Sequence, residues 1–293
     1  MKASKFIFIF VFLPFISIYS GQHSSYIHPN PYHKLERTGE SMVNWSQGYA
    51  LAWGKSQVNM DADNILQSRH AAEKKAIELA MNDLANVLLK VRVDAYKTIF
   101  DYIAENREFA VLFNKYIHDY SLKLMPLTQG YTLVKSGVVF HFFGKKSLLE
   151  VFFEALKNEP VQRVPLFRNH DHMEVHNYTG LVIDARGLGF KPSIFPSIYV
   201  NDSRNIRRTI FSFHHLNRER SLQSGGARYT TTPFNVYMDK HVGPKPYICS
   251  AERVGGEFNT DIFISREDAV KFLSSTKTSK KLEEGRVLII VDR

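Results

Sequence analysis

The sequence predicts an α+β fold, with a long amphipathic helix packed on an antiparallel or mixed sheet, followed by a second, smaller mixed-sheet region. Three observations carry that expectation. The first half of residues 61–120 places Ile65, Ala72, Ala76, Leu79, Ala80, Leu84, Val87, Leu88 and Val91 at separations of three and four, one apolar stripe on a 3.6-residue helix. After residue 120 the period changes, and short strand-like runs follow. In the second half, the brief apolar segments 181–184, 261–264 and 286–291 alternate with turn residues and only one clear helix start.

The elements follow in order. Lys2 and Lys5 precede an apolar run from Phe6 to Phe15 with small residues at Ser17, Ser20 and Gly21, so 1–20 reads as a signal peptide. That run is shorter than the ~20 residues of a spanning helix, and no later segment approaches it, so no transmembrane anchor is expected in the mature chain. Residues 21–40 are rich in His, Pro, Ser and Tyr and read as an extended arm. The spacing of its His23, His28 and His33 matches no familiar closed metal site. Two short strands around the Ser46-Gln47-Gly48 turn open a strand–helix–strand domain over 41–158. Its helix starts at the Asp61, Asp63, Asn64 cap region and runs roughly 40 Å at 1.5 Å per residue. The helical pattern then continues to residue 120 with a break near Asn106. Strands lie within 121–143, a helix over 146–157, and a linker over 159–177 marked by Pro160 and Pro165.

The region 178–293 begins with strands at 181–184 and 194–200, where Pro196 suggests a sheet edge. Residues 201–233 are polar, basic and aromatic, and read as a long surface insert. Strands at 235–238, 247–252 and 261–264 follow. Ser265-Arg-Glu-Asp268 resembles a capping box for a helix through Leu273, and 286–291 closes as an apolar strand.

Chemistry-bearing residues are sparse. His170, Asp171, His172 and His176 could supply imidazole and carboxylate ligands to a metal, and would serve an envelope metal-assisted hydrolase or a small-ligand-binding protein. They lie beside the linker, however, without the supporting Glu of a zinc-hydrolase motif. His214-His215 is a weaker pair. Cys249 is the only cysteine, excluding an intramolecular disulfide, and its apolar neighbours make it a buried thiol rather than a nucleophile. Gly187-Leu-Gly189 lacks the rest of a phosphate-binding loop and reads as a tight turn, held by an Asp184–Arg186 ion pair. Glu283-Glu284 reads as a solvated loop. No set reaches a named reaction, so the reading is non-enzymatic, without catalytic, cofactor or metal residues.

The formal net charge is +9, of which the leader carries two charges, and a basic exported protein meets anionic surfaces. Export argues against nucleic acid. The candidate partner-binding residues are Arg204, Arg207, Arg208, Phe211, Phe213, Arg218, Arg220, Arg228 and Tyr229, since Arg with aromatics is enriched at interfaces.

Two stretches add a resemblance. Asn44-Trp-Ser-Gln-Gly48, Tyr49-Ala-Leu-Ala-Trp-Gly54, the helix with Ala71-Ala-Glu-Lys-Lys-Ala76, and Val138-Val-Phe-His-Phe-Phe-Gly-Lys145 resemble a bacterial envelope family. This family is related to flagellar assembly protein T and to small outer-membrane lipoproteins found beside flagellar genes. Residues 178–192, Ile264-Ser-Arg-Glu-Asp-Ala269 and the strand from Gly285 to Asp292 are similar to longer members. The lipid-bearing Cys is absent and the basic insert is extra. Together with the Phe- and Lys-rich leader, the pattern also resembles spirochaetal proteins that sheathe or coil periplasmic flagella. The resemblance implies a periplasmic structural or assembly protein that binds a flagellar filament or related envelope assembly, supports motility, and could form a homo-oligomer within a lattice.

Overall fold

The computed structural model describes residues 26, 30, 32–167, 176–201, 206–234 and 236–293. The expected leader, His23, His28, His170, Asp171, His172 and Arg204 lie outside the described residues. The chain divides into Met1–Pro31 and Tyr32–Arg293, and everything below concerns the second unit. It is an α+β structure with seven α-helices and two sheets among the described residues.

The first sheet has the order β1-β2-β3-β6-β4, with β5 also paired to β6, and all its pairings are antiparallel. Its strands are β1 (Leu35–Thr38), β2 (Ser41–Asn44), β3 (Tyr49–Gln57), β4 (Leu122–Lys123), β5 (Leu127–Gln129) and β6 (Leu133–His141). The part of the expected arm from Leu35 onward is thus a sheet strand. Its ladder to β2 extends a hairpin whose turn is held by the Asn44 side chain, which accepts the Gln47 N–H at 3.0 Å.

Across this sheet lies α1 (Ile65–Leu89), capped by Asn64, whose side chain accepts the Gln67 N–H at 3.0 Å. Ala72, Ala76, Ala80, Leu84, Val87 and Leu88 are buried as the stripe requires, whereas Ile65 and Leu79 are exposed. Ile65 is the first residue of the helix, and Leu79 sits at the margin of the stripe. Small side chains bring α1 down onto β3 at Gly54, where a Cβ would stand 1.9 Å from the Ala76 carbonyl oxygen. The helical pattern past Lys90 is interrupted by a turn closed by an Arg92–Thr98 bridge. It resumes as α2 (Ile99–Glu105) and α3 (Arg107–Tyr120), and Asn106 ends one and caps the other, at the break the sequence predicts. Then α4 (Leu148–Ala155) packs on α3.

The second sheet has seven strands in the order β10-β13-β7-β11-β12-β8-β9. These are β7 (Leu181–Asp184), β8 (Ile198–Asn201), β9 (Arg207–Phe211), β10 (Arg228–Thr230), β11 (Tyr247–Gly255), β12 (Asp261–Ile264) and β13 (Val287–Ile290). Strands β10, β13, β7 and β11 run parallel, β12 turns back against β11, β8 is parallel to β12, and β9 is antiparallel to β8. The central strands are nearly continuous apolar runs because both faces are covered. Leu181, Ile183, Val287 and Ile289 point into the main core, while Val182, Leu288 and Ile290 join Val236 and Val242 in a small cluster on the other face. The helices of this half are α5 (Arg218–Ser224), α6 (Arg266–Phe272) and α7 (Thr276–Glu283).

Four expectations need correction here. The insert 201–233 is not a surface loop. It supplies β9, a short 3-10 turn, α5 and β10, and β9 and β10 form the two opposite edges of the sheet. Strand β8 is not an edge: it pairs with β12 on one side and β9 on the other, and Pro196, which precedes its first paired residue, removes no ladder bond. Residues 236–238 form a 3-10 turn rather than a strand. Glu284 is not solvated: its half-buried carboxylate meets Arg220, Lys281 and Arg286, at 3.6, 3.1 and 2.7 Å.

One buried cluster joins both sheets. Trp45 lies edge-on to Tyr229 with ring centroids 6.0 Å apart, and Phe152 of α4 is 4.9 Å from Phe195. Backbone bonds cross too, from Ile194 N–H to Arg92 O and from Phe195 N–H to Val93 O. The described part of the linker is tied down by Gln162 N–H to His214 O and Phe167 N–H to Leu273 O.

Candidate functional site

The basic and aromatic residues singled out by the sequence do not form one patch. Phe211 and Tyr229 are both 2% exposed and belong to the core, where the Tyr229 hydroxyl donates to the Ser193 carbonyl at 2.6 Å. Phe213 is half-buried against Phe153 and Phe195. Neither buried ring can meet a partner without opening the fold. The arginines among the described residues are exposed but dispersed. Arg218 faces Glu154 at 4.0 Å and Arg220 faces Glu284, so α5 is tied to its neighbours by its charges. Arg228 lies on edge strand β10, its guanidinium 3.4 Å from the Ser224 carbonyl. Arg207 and Arg208 stand together on the opposite edge, β9, both exposed, with the Arg207 guanidinium 4.6 Å above the Tyr199 ring. Exposed Ile206 precedes them.

A second feature was not legible beforehand. A cleft of about 410 Å³ opens where the 91–98 turn meets the β8–β9–β12 corner, lined by Asp94, Lys97, Tyr102, Glu159, Tyr199, Phe213, His214 and Asp261 among others. Asp94 is saturated: its Oδ1 accepts the N–H groups of Tyr96 and Lys97 at 2.8 and 2.9 Å, and its Oδ2 accepts the Tyr102 hydroxyl at 3.0 Å. Lys97 is engaged by Glu105. His214 Nδ1 is 3.3 Å from Glu159. Asp261, the first residue of β12, is different. It is 2% exposed, its carboxylate takes a backbone N–H from Ser197, and its Oδ1 finds no hydrogen-bond partner among the described residues. Burial pushes its carboxyl up to about 6. The three carboxylates come from positions 94, 159 and 261, which is why no local motif announced them; a carboxylate opening an otherwise apolar strand was the one available signal.

Other sequence candidates resolve simply. Cys249 is a buried residue of β11, with burial raising its thiol well above the usual range. Gly187 and Gly189 have φ of +76° and +70°, and the Gly187 N–H donates to the Asp292 carboxylate at 3.0 Å, so the turn is closed by the chain itself. Arg186 pairs with Asp184 at 2.6 Å as expected, and this hydrogen bond holds the Asp184 carboxyl below its ordinary value. His176 packs 5.9 Å from the Tyr178 ring, while the other members of its proposed cluster fall outside the described residues. No helix among the described residues is long and apolar enough to cross a membrane.

With the second sheet complete from β7 onward, its family likeness has a defined extent. Residues 180–293 match the family described as Treponema pallidum Tp0624, second domain. The matched segment begins one residue before β7 and includes every strand of the seven-stranded sheet together with α5, α6 and α7. The likeness is to a domain of a spirochaete protein and covers somewhat over a third of the chain. It coincides with the second of the two resembling stretches, and the flagellar likeness of the first has no counterpart in it. A comparison with curated proteins gives no match.

Proposed function

We propose that this chain is a non-enzymatic binding protein of the bacterial envelope that docks on a larger protein assembly, in its specific form a periplasmic flagellar filament, and so supports motility. The observation that carries the reading is the β9 edge. It ends the seven-stranded sheet and displays Arg207, Arg208 and Ile206 outward, on a protein of formal net charge +9. An exposed strand edge can accept a partner strand through main-chain hydrogen bonds, and two adjacent arginines favour an acidic partner and speed its approach. The likeness to a spirochaete protein domain suits an envelope setting. The export-type leader and the family resemblance of the first half point the same way. Phe211 and Tyr229 leave the partner-binding set because they are core; Arg207 and Arg208 remain its centre.

Co-sedimentation with purified filaments tests the proposal. Wild-type protein should pellet with filaments at low salt and be released as salt rises, since exposed charges are screened over about 10 Å at 0.1 M. The R207E/R208E double variant should remain folded and lose retention. Full retention of that variant, or no retention of wild-type protein, would overturn the reading.

A further inference from the structure

The cleft at the β8–β9–β12 corner gathers three carboxylates, Asp94, Glu159 and Asp261, in a chain whose overall charge is strongly positive. Of the cations that line it, Lys97 is engaged by Glu105 and His214 by Glu159, while Arg207 stands at its border over the Tyr199 ring and acts on Asp261. What distinguishes it from an ordinary acidic surface is Asp261. A carboxylate oxygen buried without a donor costs free energy, and folded proteins tolerate such a group where something else completes it. Around it stand rings: Tyr102, Tyr199 and Phe213 line the same cleft, with Lys97 over Tyr102 and Arg207 over Tyr199, so they offer a ligand apolar surface for its carbon body. Among the described residues no three His, Cys, Asp or Glu side chains converge as a metal-binding group. The donor set therefore addresses a ligand that brings its own N–H groups.

We infer that this cleft is a binding site for a small organic ammonium ligand, with the unpaired Oδ1 of Asp261 accepting its N–H and the aromatic rings flanking its carbon body. The volume of about 410 Å³ suits a ligand of a few carbon atoms up to a single sugar ring. The ammonium group could be carried by an alkyl amine or by an amino sugar, and the chemistry of recognition is the same. Arg207 of β9 borders this site, its guanidinium 4.6 Å from the Tyr199 ring, but the inference does not depend on the docking reading.

Titration calorimetry of the full chain with cadaverine, glucosamine and glucose tests the inference. At least one amine should bind, and which one identifies the source of the ammonium group; glucose, the neutral counterpart of glucosamine, should not. The isosteric D261N variant should weaken amine binding by about tenfold or more, equivalent to at least ~1.4 kcal/mol. A second variant, T209Y, leaves the carboxylates in place, puts a bulky ring at the β9 wall of the cleft and should abolish binding. Both variants are checked for an unchanged circular dichroism spectrum; should D261N fail to fold, T209Y decides. Absence of binding by both amines, glucose binding as tightly as glucosamine, or amine binding that survives T209Y or a folded D261N would overturn the site.

Discussion

His241 shows how a single side chain sets a property of the whole fold. It is 5% exposed, with Nδ1 3.1 Å from the Ser224 carbonyl and Nε2 3.2 Å from the Val287 carbonyl. Two acceptors would suit a doubly protonated ring, but burial first, and then the neighbouring Arg228, lower its pKa from 6.5 to about 3. His215, buried beside Ser212, is likewise lowered to about 4 by burial and by His214. Below 6.5 the unfolded chain takes up protons that these folded imidazoles refuse. Stability from both groups is therefore full above pH 6.5 and is lost as pH falls toward 4 and then 3. Asp261 acts oppositely: raised from 3.8 to about 6, it favours the folded state below 3.8 and loses that contribution as pH rises through 6. With two imidazoles against one carboxyl, the urea midpoint should be lower near pH ~4.5 than near pH ~7. The H241Q variant should show a smaller drop over the same interval, and an unchanged drop would remove His241 as a source of the acid limb. The residue types of these groups were readable, but their burial was not. His214 and His215 are adjacent in sequence, yet one is partly exposed and the other 2% exposed, because the 3-10 turn points them in different directions.

At the scale of elements, the contact of α1 with β3 decides how the first sheet is closed. The periodicity of 61–90 predicts a helix and its buried face, and Leu84 and Leu88 are both fully buried on it. Leu84→Ala should cost about 2–5 kcal/mol, read from the shift of the urea transition. What periodicity did not show was how close the helix comes. Gly54→Ala places a methyl against helix backbone, 1.9 Å from the Ala76 carbonyl and 2.6 Å from the Ala80 N, where no side-chain rotation can relieve it. We expect Gly54→Ala to be at least as damaging as the usual overpacking cost of about 1–3 kcal/mol. A variant as stable as wild type would mean that α1 can lift from the sheet at little cost. The same limit explains the misread insert. Strands β9 and β10 are five and three residues long, and neither length supports a period on its own.

At the scale of the molecule, the strand–helix–strand region and the C-terminal region are two sheets around one core, within a single compact unit from Tyr32 to Arg293. The Trp45–Tyr229 and Phe152–Phe195 ring contacts, and the backbone bonds from Ile194 and Phe195 to the 92–93 turn, would all be cut by separating the halves. A fragment ending at residue 177 would expose the apolar face that Phe195, Ile198 and Ile210 cover. That fragment should be poorly soluble or lack a cooperative thermal transition, while residues 32–293 should unfold in one step by calorimetry. Two resolved transitions, or a cooperatively folding fragment, would show that the halves are independent.

Legible in the chain alone were the α+β class, the long helix with its cap and stripe, the break at Asn106, the apolar strands read at 181–184 and 286–291, the Gly187 turn with its Asp184–Arg186 pair, and the buried state of Cys249. All of these rest on interactions between residues close in the chain, or on apolar runs that can only go inside. The tertiary structure decided which arginines share an edge, that Phe211 and Tyr229 are core, and that Asp94, Glu159 and Asp261 share one cleft. Those outcomes depend on strand order and on contacts between distant segments: Arg207 and Arg228, 21 positions apart, end on opposite edges of one sheet because β7, β8, β11, β12 and β13 lie between their strands.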